Sequence, residues 1–243
     1  MSKLNRVPHR EFDLINVFDL GGYSGIILAG LKQTLLVGII SMALAIGIGM
    51  LGAIAKTSSV LPLKFLATFY TATIRGIPEL ILLLLVFYGV PTLIQDMAAS
   101  MGYEVIVDFN SFIAGTLTLA FIYGAFSTEV FRGAFNAIPK GQLEAANSIG
   151  MSPLKVFIRV KLPQAIRFAI PGLSNLWMLL IKATALISVI QLDEVMRMTK
   201  IAANATHKPF TAYIFAAGLY LLITVVSMGG QRVLEKKYMK GFQ

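Results

Sequence analysis

Long stretches of apolar residues without charge are the feature that most limits what this chain can form. The clearest is 34–55, and 109–128 and 209–231 are of the same kind. A helix needs about 20 such residues to cross a hydrocarbon layer about 30 Å thick. Only 14% of the residues are charged, against about 25% in a typical soluble domain. The sequence therefore predicts a helical membrane protein.

Two further apolar stretches carry charged interruptions. Residues 65–95 contain Arg75 and the run Gly-Ile-Pro-Glu at 76–79, and residues 168–192 contain Lys182. Together with the three uncharged stretches they predict five crossings. The expected fold is all-α and polytopic, with one transmembrane domain over 1–243 and its termini on opposite sides of the membrane.

The distribution of Lys and Arg over the short connections predicts the orientation. One side would hold twelve of them, in 56–64, 132–167 and 232–243, whereas the other would hold six and has none in 96–108. This places the segment 1–25 in the periplasm and the basic connections, including the C-terminal tail, in the cytoplasm. Topology thus accounts for the net charge of +9, and no nucleic-acid partner is expected.

The sequence lacks the residues that several classes of chemistry require. The chain has no cysteine and only two histidines, far apart in polar segments, so no metal site is expected. Neither HExxH, GxSxG nor the phosphate loop GxxxxGK[ST] occurs. The first 25 residues carry six charges and no apolar core, so they are not a cleavable signal peptide, and the first crossing should act as the targeting signal.

Glycines recur inside the first and third crossings, where they let helix backbones approach closely. They are Gly38, Gly47, Gly49, Gly52, Gly115 and Gly124. We expect most of them to pack the subunit against itself. Five helices enclose little space, so a water-filled path would need a second copy or a related subunit.

The connection 132–167 is predicted to form two short helices. The first would cover 139–149 and stop at Gly150, where a left-handed residue is needed. The second would open at Ser152-Pro153, with serine as the N-cap and proline at the first helical position, and would close at Pro163. The basic face of such a helix can also lie on anionic lipid headgroups.

The residues of this connection resemble a known signature. Glu144-Ala145-Ala146 is followed by three residues, Gly150, nine residues and then Val160-Lys161-Leu162-Pro163. This resembles the EAA motif of the permease subunits of ATP-binding-cassette importers, with valine at the isoleucine position as the one departure. The motif positions, taken together, are Pro139, Glu144, Ala145, Ala146, Gly150, Leu162 and Pro163.

Further segments narrow the resemblance. Those at 31–35, 75–80, 121–125, 128–134 and 182–186 look like the polar amino-acid branch, and most like the histidine/lysine/arginine/ornithine and opine permeases. The resemblance implies an inner-membrane importer subunit for a basic amino acid or opine. It also implies a homologous or identical second permease, two ATPase subunits that bind ATP and Mg²⁺ in its place, and a periplasmic solute-binding protein.

In the family that this chain resembles, the motif loop docks into a cleft on the ATPase and transmits its opening and closing. Ala145 and Ala146 would allow close approach of the partner, and Gly150 would set the angle between the two helices. Glu144 would either pair with a basic residue of the partner or cap its own helix.

Charges inside the membrane are costly and usually face a cavity or a partner. Glu79 follows Pro78, so it can stabilise the positive end of a helix, pair with Arg75, or contact a cationic substrate. Lys182 can meet a substrate carboxylate or form a structural ion pair. Asp193, at the outer end of the fourth crossing, can attract a basic amino acid or contact the receptor.

Two other acidic positions are expected to have structural roles. Glu194, beside Asp193, is expected to share its solvated loop face unless the pair contacts substrate or receptor. Glu129 and Arg132 lie three residues apart and should form a helix-end pair.

Two classes of function remain open from the residues. The first is an importer subunit driven by a partner ATPase, and the second is a self-sufficient channel or secondary amino-acid carrier. Co-purification with an ATPase separates the two. The sequence does not specify which amino acid is carried.

Overall fold

The computed structural model describes residues 20–239, and the secondary structure in this part of the chain is all helical, with no strand. We number the helices α1 Ser24–Thr57, α2 Leu61–Gly76, α3 Glu79–Ser100, α4 Ser111–Asn136, α5 Lys140–Ser148, α6 Pro153–Ile190, α7 Val195–Thr206 and α8 Pro209–Met239. Five of them, α1, α3, α4, α6 and α8, are long and apolar enough to cross a membrane. The expected five crossings are confirmed. Most of the expected periplasmic segment 1–25, and the last residues of the tail, lie outside the described range.

The second crossing is interrupted at 76–79, as the sequence predicts. The stretch 65–95 is not one helix but two, because α2 ends at Gly76 and α3 starts at Glu79. Ile77 and Pro78 between them are extended, with ψ of 136° and 134°. A proline disfavours helical geometry in the residue before it and has no N–H to donate, so the chain opens here.

The fourth crossing differs from its expected form. Pro163 was expected to close a short helix, but α6 runs on from Pro153 through Pro163 to Ile190. A π turn at Phe157–Lys161 ends two positions before the proline, and this wider turn lets the helix pass a residue that has no N–H donor. Since residues 132–136 belong to α4 and 153–167 to α6, the connection is shorter than expected.

Helix α4 is the centre of the bundle and packs along α1. A Cβ added to Gly49 would lie 2.3 Å from Ser127 Cβ and 2.8 Å from the Ser127 carbonyl carbon. Gly38, Gly52, Gly115 and Gly124 also contact neighbouring helices closely, whereas Gly47 has open space. The expected role of these glycines in packing is confirmed for all but Gly47.

Three apolar clusters hold the bundle. The central one includes Val37, Leu119 and Leu180. We call the end of the bundle that carries α5 the hairpin end, and the cluster there includes Phe131, Phe135 and Ala165. The cluster at the opposite end joins α7 to α1 and α8 through Ile27, Val195, Ala212 and neighbours.

Large apolar side chains also remain exposed along α2, α3 and α8. They include Leu61, Phe65, Phe69, Leu85, Leu221 and Val225. In water such a surface would be unfavourable, and in a bilayer it is available to lipid tails or to another subunit.

Candidate functional site

A helical hairpin projects from one end of the bundle. Helix α5 is preceded by Pro139 and followed, after a short turn, by the start of α6; we call residues 139–163 the α5–α6 hairpin. Gly150 adopts a φ of +77°, and its N–H donates to the carbonyl of Asn147 at 2.9 Å. No neighbouring atom lies within 4 Å of a Cβ placed there. Glycine is therefore required at 150 by backbone conformation and not by space.

The hairpin has one face turned inward and one outward. Ala146 is buried at 6% exposure, and Leu143 packs against the cluster at the hairpin end. Glu144 and Ala145 are exposed, and the Glu144 carboxylate has no hydrogen-bond or ionic partner in the described part of the chain. Of the remaining motif residues, Pro139 and Pro163 are exposed and Leu162 is half-buried.

Apolar side chains extend the outward face. Ile149 is 78% exposed, Leu154 68% and Ile158 51%. Exposed Lys155 and Arg159 lie among them on the first turns of α6. The combination of apolar anchors with a basic surround is typical of a surface that binds another protein.

The hairpin is anchored to the crossings. The ring of Phe157 packs edge-on against that of Phe135, with their centroids 6.1 Å apart. The Lys161 ammonium lies 4.6 Å from the centre of the Phe135 ring. Helix α6 is continuous through Pro163, so the second arm of the hairpin and the fourth crossing belong to the same helix.

The break between α2 and α3 contains the first pair of intramembrane charges. Glu79 is half-buried in the first turn of α3, and Tyr123 of α4 donates its hydroxyl to Glu79 Oε1 at 3.1 Å. Arg75 forms no ion pair with Glu79; its guanidinium lies 5.3 Å from the centre of the Phe126 ring. Of the three roles left open for Glu79, the i,i+4 pair with Arg75 is not formed, because the extended Ile77-Pro78 segment separates the two side chains.

The other two predicted path residues are not brought to this break. Lys182 is exposed on α6 and has no ionic partner in the described residues, so the expected structural ion pair is not formed within the chain. Asp193 is 66% exposed and pairs with Arg197 at 2.9 Å. Of the four predicted path residues, only Arg75 and Glu79 are seen to contact the same helix, α4.

A buried carboxylate escaped sequence reasoning. Glu194 is 1% exposed, so the expectation of a solvated face is confirmed for Asp193 and wrong for Glu194. Its two oxygens accept the N–H groups of Met196 and Arg197 at 2.8 Å each and the Tyr220 hydroxyl at 3.2 Å. Burial raises the pKa of Glu194 to about 7, against the opposing effect of these donors. The sequence shows a charged residue directly before a helix, but nothing in it predicts that this residue is buried.

A second network was predicted only in part. Arg132 donates to Glu129 at 2.8 Å, as expected for the helix-end pair. Lys56 of α1 also donates to Glu129, and to Thr71 of α2 at 2.7 Å. Since Lys56 and Glu129 are 73 positions apart, no local pattern could reveal their contact.

Five apolar crossings with a projecting helical hairpin define a membrane-embedded permease subunit. Residues 45–240 match the family described as "Binding-protein-dependent transport system inner membrane component", and the chain belongs to that family. It is thus an inner-membrane transport component, whose systems include a separate ATPase and a solute-binding protein. ATP hydrolysis belongs to that ATPase, and this chain is not an enzyme.

Individual relatives cover nearly the whole chain. It is 42% identical to the histidine/lysine/arginine/ornithine transport system permease protein HisQ of Escherichia coli K12, over 91% of this chain and 97% of HisQ. It is 39% identical to the octopine transport system permease protein OccQ of Rhizobium radiobacter, over 96% of this chain and 98% of OccQ. Among solved structures, an amino acid ABC transporter matches with a TM-score of 0.75 and 30% identity, over 88% of this chain and 95% of its own.

Proposed function

We propose that this permease carries a basic amino acid or an opine into the cell and is driven through the α5–α6 hairpin by a partner ATPase. The observation that carries the proposal is the hairpin itself. Its motif residues lie on a projecting turn set by left-handed Gly150, with Glu144 exposed and without a partner among residues 20–239. The names of the relatives at about 40% identity support the substrate class.

The hairpin offers complementary groups to a partner. Exposed Ile149 and Leu154 would fill an apolar cleft, and Ala145 would allow the two backbones to approach closely. The Glu144 carboxylate would pair with a basic side chain of the ATPase. Movement would then pass through Phe157 and Phe135 to the crossings α4 and α6.

The orientation and the assembly belong to this proposal. The surplus of Lys and Arg at the hairpin end supports a cytoplasmic hairpin and C-terminus, with a periplasmic N-terminus. The assembly would contain two ATPase subunits, a periplasmic solute-binding protein and a second permease, homologous or identical. The exposed apolar faces of α2, α3 and α8 supply surface for that second permease and for lipid.

Replacing Gly150 tests the coupling. We expect Gly150→Val to lower ATP-driven uptake about tenfold, because a β-branched residue disfavours the left-handed conformation by about 1–2 kcal/mol. Gly150→Asn is the matched control, since asparagine tolerates this conformation, and it should retain most of the uptake. Uptake in proteoliposomes and co-purification of the ATPase are the measurements.

A charge reversal separates coupling from folding. Glu144→Arg alters an exposed side chain with no partner in the described part of the chain, so the fold should persist while the ATPase is lost on purification. Full uptake by both Gly150→Val and Glu144→Arg would contradict the proposed coupling. Uptake without any ATPase would instead establish a self-sufficient carrier.

Glu79 is the residue that we propose faces a cationic substrate. Glu79→Gln keeps an oxygen that can accept the Tyr123 hydroxyl but removes the charge. We expect arginine uptake at limiting concentration to fall about tenfold, since a hydrogen bond to a charged group contributes about 1.5–3 kcal/mol. Initial uptake rates of arginine in proteoliposomes measure this.

Tyr123→Phe is the control for Glu79, because it removes the hydrogen bond and leaves the carboxylate. It should lower arginine uptake less than Glu79→Gln does. Equal arginine uptake by wild type and Glu79→Gln would remove Glu79 from the proposed path.

A further inference from the structure

A polar cavity of about 370 Å³ opens at the hairpin end, between α1, α2 and α4. It is lined by Lys56, Thr57, Lys64, Thr68, Arg132 and Asn136. The transport proposal places none of these residues on the solute path or in the contact with the ATPase. The cavity lies where α1 and α4 end and α2 begins. Since α1 and α4 are long and apolar enough to cross a membrane, we expect their ends near one membrane surface.

The charges around the cavity do not balance. Lys56, Lys64 and Arg132 bring three positive charges. Glu129 is the one carboxylate paired with them in the described part of the chain, and it already accepts from Lys56 and from Arg132 Nε. Three cations less one carboxylate leave a formal charge of +2.

Hydrogen-bond donors around the cavity also lack acceptors. Within residues 20–239, the Lys64 ammonium and the Asn136 side-chain amide have no partner, and Arg132 bonds only through Nε. The hydroxyls of Thr57 and Thr68 donate back to carbonyls of their own helices. An occupant must therefore supply several acceptor oxygens and negative charge, as a phosphate group does.

The surroundings of the cavity favour a lipid as the source of that phosphate. Lys64 and Thr68 line the cavity one helical turn apart on α2, and the same helix exposes Leu61 at 77%, Phe65 at 69% and Phe69 at 61%. An apolar helix surface directly beside a basic cavity suits a molecule with acyl chains and an anionic head. Free phosphate would contact only the basic cavity and would leave the apolar surface of α2 uncovered.

We propose that the cavity binds the phosphate headgroup of an anionic phospholipid, whose acyl chains lie along α2. Basic pockets between membrane helices at the membrane surface bind anionic headgroups in this way. The lipid would contact the ends of α1, α2 and α4 together. The proposal does not depend on which solute the permease carries.

Lipid retention by the assembled transporter tests the proposal. The complex is purified from membranes in mild detergent, exchanged into a defined mixture of phosphatidylglycerol and phosphatidylcholine, and analysed by native mass spectrometry. We expect Lys64→Gln to lower the affinity for phosphatidylglycerol about fivefold, the effect of one basic side chain near an anionic surface. Lys64→Gln with Asn136→Ala should lower it further.

Lys236→Gln is the matched control, because it removes an exposed lysine near the end of α8 that is not among the residues lining the cavity. It should retain phosphatidylglycerol like the wild type. A wild-type complex that binds both lipids equally would overturn the proposal, as would unchanged retention in the double variant. Displacement of phosphatidylglycerol by millimolar inorganic phosphate would assign the cavity to a soluble anion. Loss of the ATPase from the Lys64→Gln complex would assign the cavity to an acidic partner surface. Either result would overturn the lipid proposal.

Discussion

Gly49→Val is expected to abolish accumulation of the folded permease. The new side chain would meet Ser127 at 2.3 Å from its Cβ and 2.8 Å from its carbonyl carbon, and Thr128 N at 3.0 Å. Carbon atoms in contact normally lie about 3.5–4.0 Å apart. Two of the three nearest atoms are backbone, so α1 and α4 would have to separate along the central contact of the bundle. The cost should reach at least about 3 kcal/mol, the upper end of ordinary overpacking.

Gly47→Val is the matched control for this prediction. Gly47 lies in the same helix, and a Cβ added there meets nothing within 4 Å, so the change in helix propensity is the same without the collision. The amount of monodisperse protein on size-exclusion chromatography in detergent should stay near wild type for Gly47→Val and vanish for Gly49→Val. Similar yields of the two variants would show that α1 and α4 do not pack as described.

Glu194→Leu is expected to destabilise the opposite end of the bundle strongly. The substitution leaves two partly buried backbone N–H groups and the Tyr220 hydroxyl without their acceptor. Each unsatisfied buried donor costs about 1–3 kcal/mol, so the total should exceed about 3 kcal/mol. The backbone of Glu194 also lies within 3 Å of a Cβ placed on Gly30, so α1 cannot move inward to compensate. The midpoint of thermal unfolding in detergent measures the loss.

The pH dependence of stability is an independent test of the burial of Glu194. Burial raises the pKa of its carboxyl from 4.5 to about 7, so between these values the folded state holds a proton that the unfolded state has released. Stability contributed by this group is therefore complete below pH 4.5 and falls as pH rises toward 7, by about 1.4 kcal/mol per pH unit. Glu194→Gln should lose this slope. A slope unchanged in Glu194→Gln, or a wild-type midpoint in Glu194→Leu, would contradict the description.

The coarse fold could be predicted because its determinants are local. A run such as 34–55 must leave water whatever surrounds it, so five crossings followed from the sequence. Gly150 was recognised as a left-handed stop from its position after a helical pattern, and its φ of +77° confirms this. The Glu129–Arg132 pair was likewise readable, since three positions along a helix bring side chains together.

The expected helix end at Pro163 was wrong, and the reason is the hydrogen bonding around the proline. Pro78 opened the second crossing into α2 and α3, whereas Pro163 left α6 intact. The difference lies in the π turn at Phe157–Lys161, which widens the helix before Pro163. No residue pattern in either segment distinguishes a proline that breaks a helix from one that a wider turn accommodates.

By itself the sequence determined the membrane location, the number of crossings and the motif hairpin, because apolar length, helical spacing and glycine conformation act over a few residues. Only the tertiary structure decided which charges meet. It brings Lys56 into contact with Glu129, 73 positions away in the sequence, and Tyr123 into contact with Glu79, 44 positions away. It also buries Glu194 and leaves Asp193 exposed. A contact between distant helices depends on their crossing point and rotation, and these are set by the packing of the whole bundle.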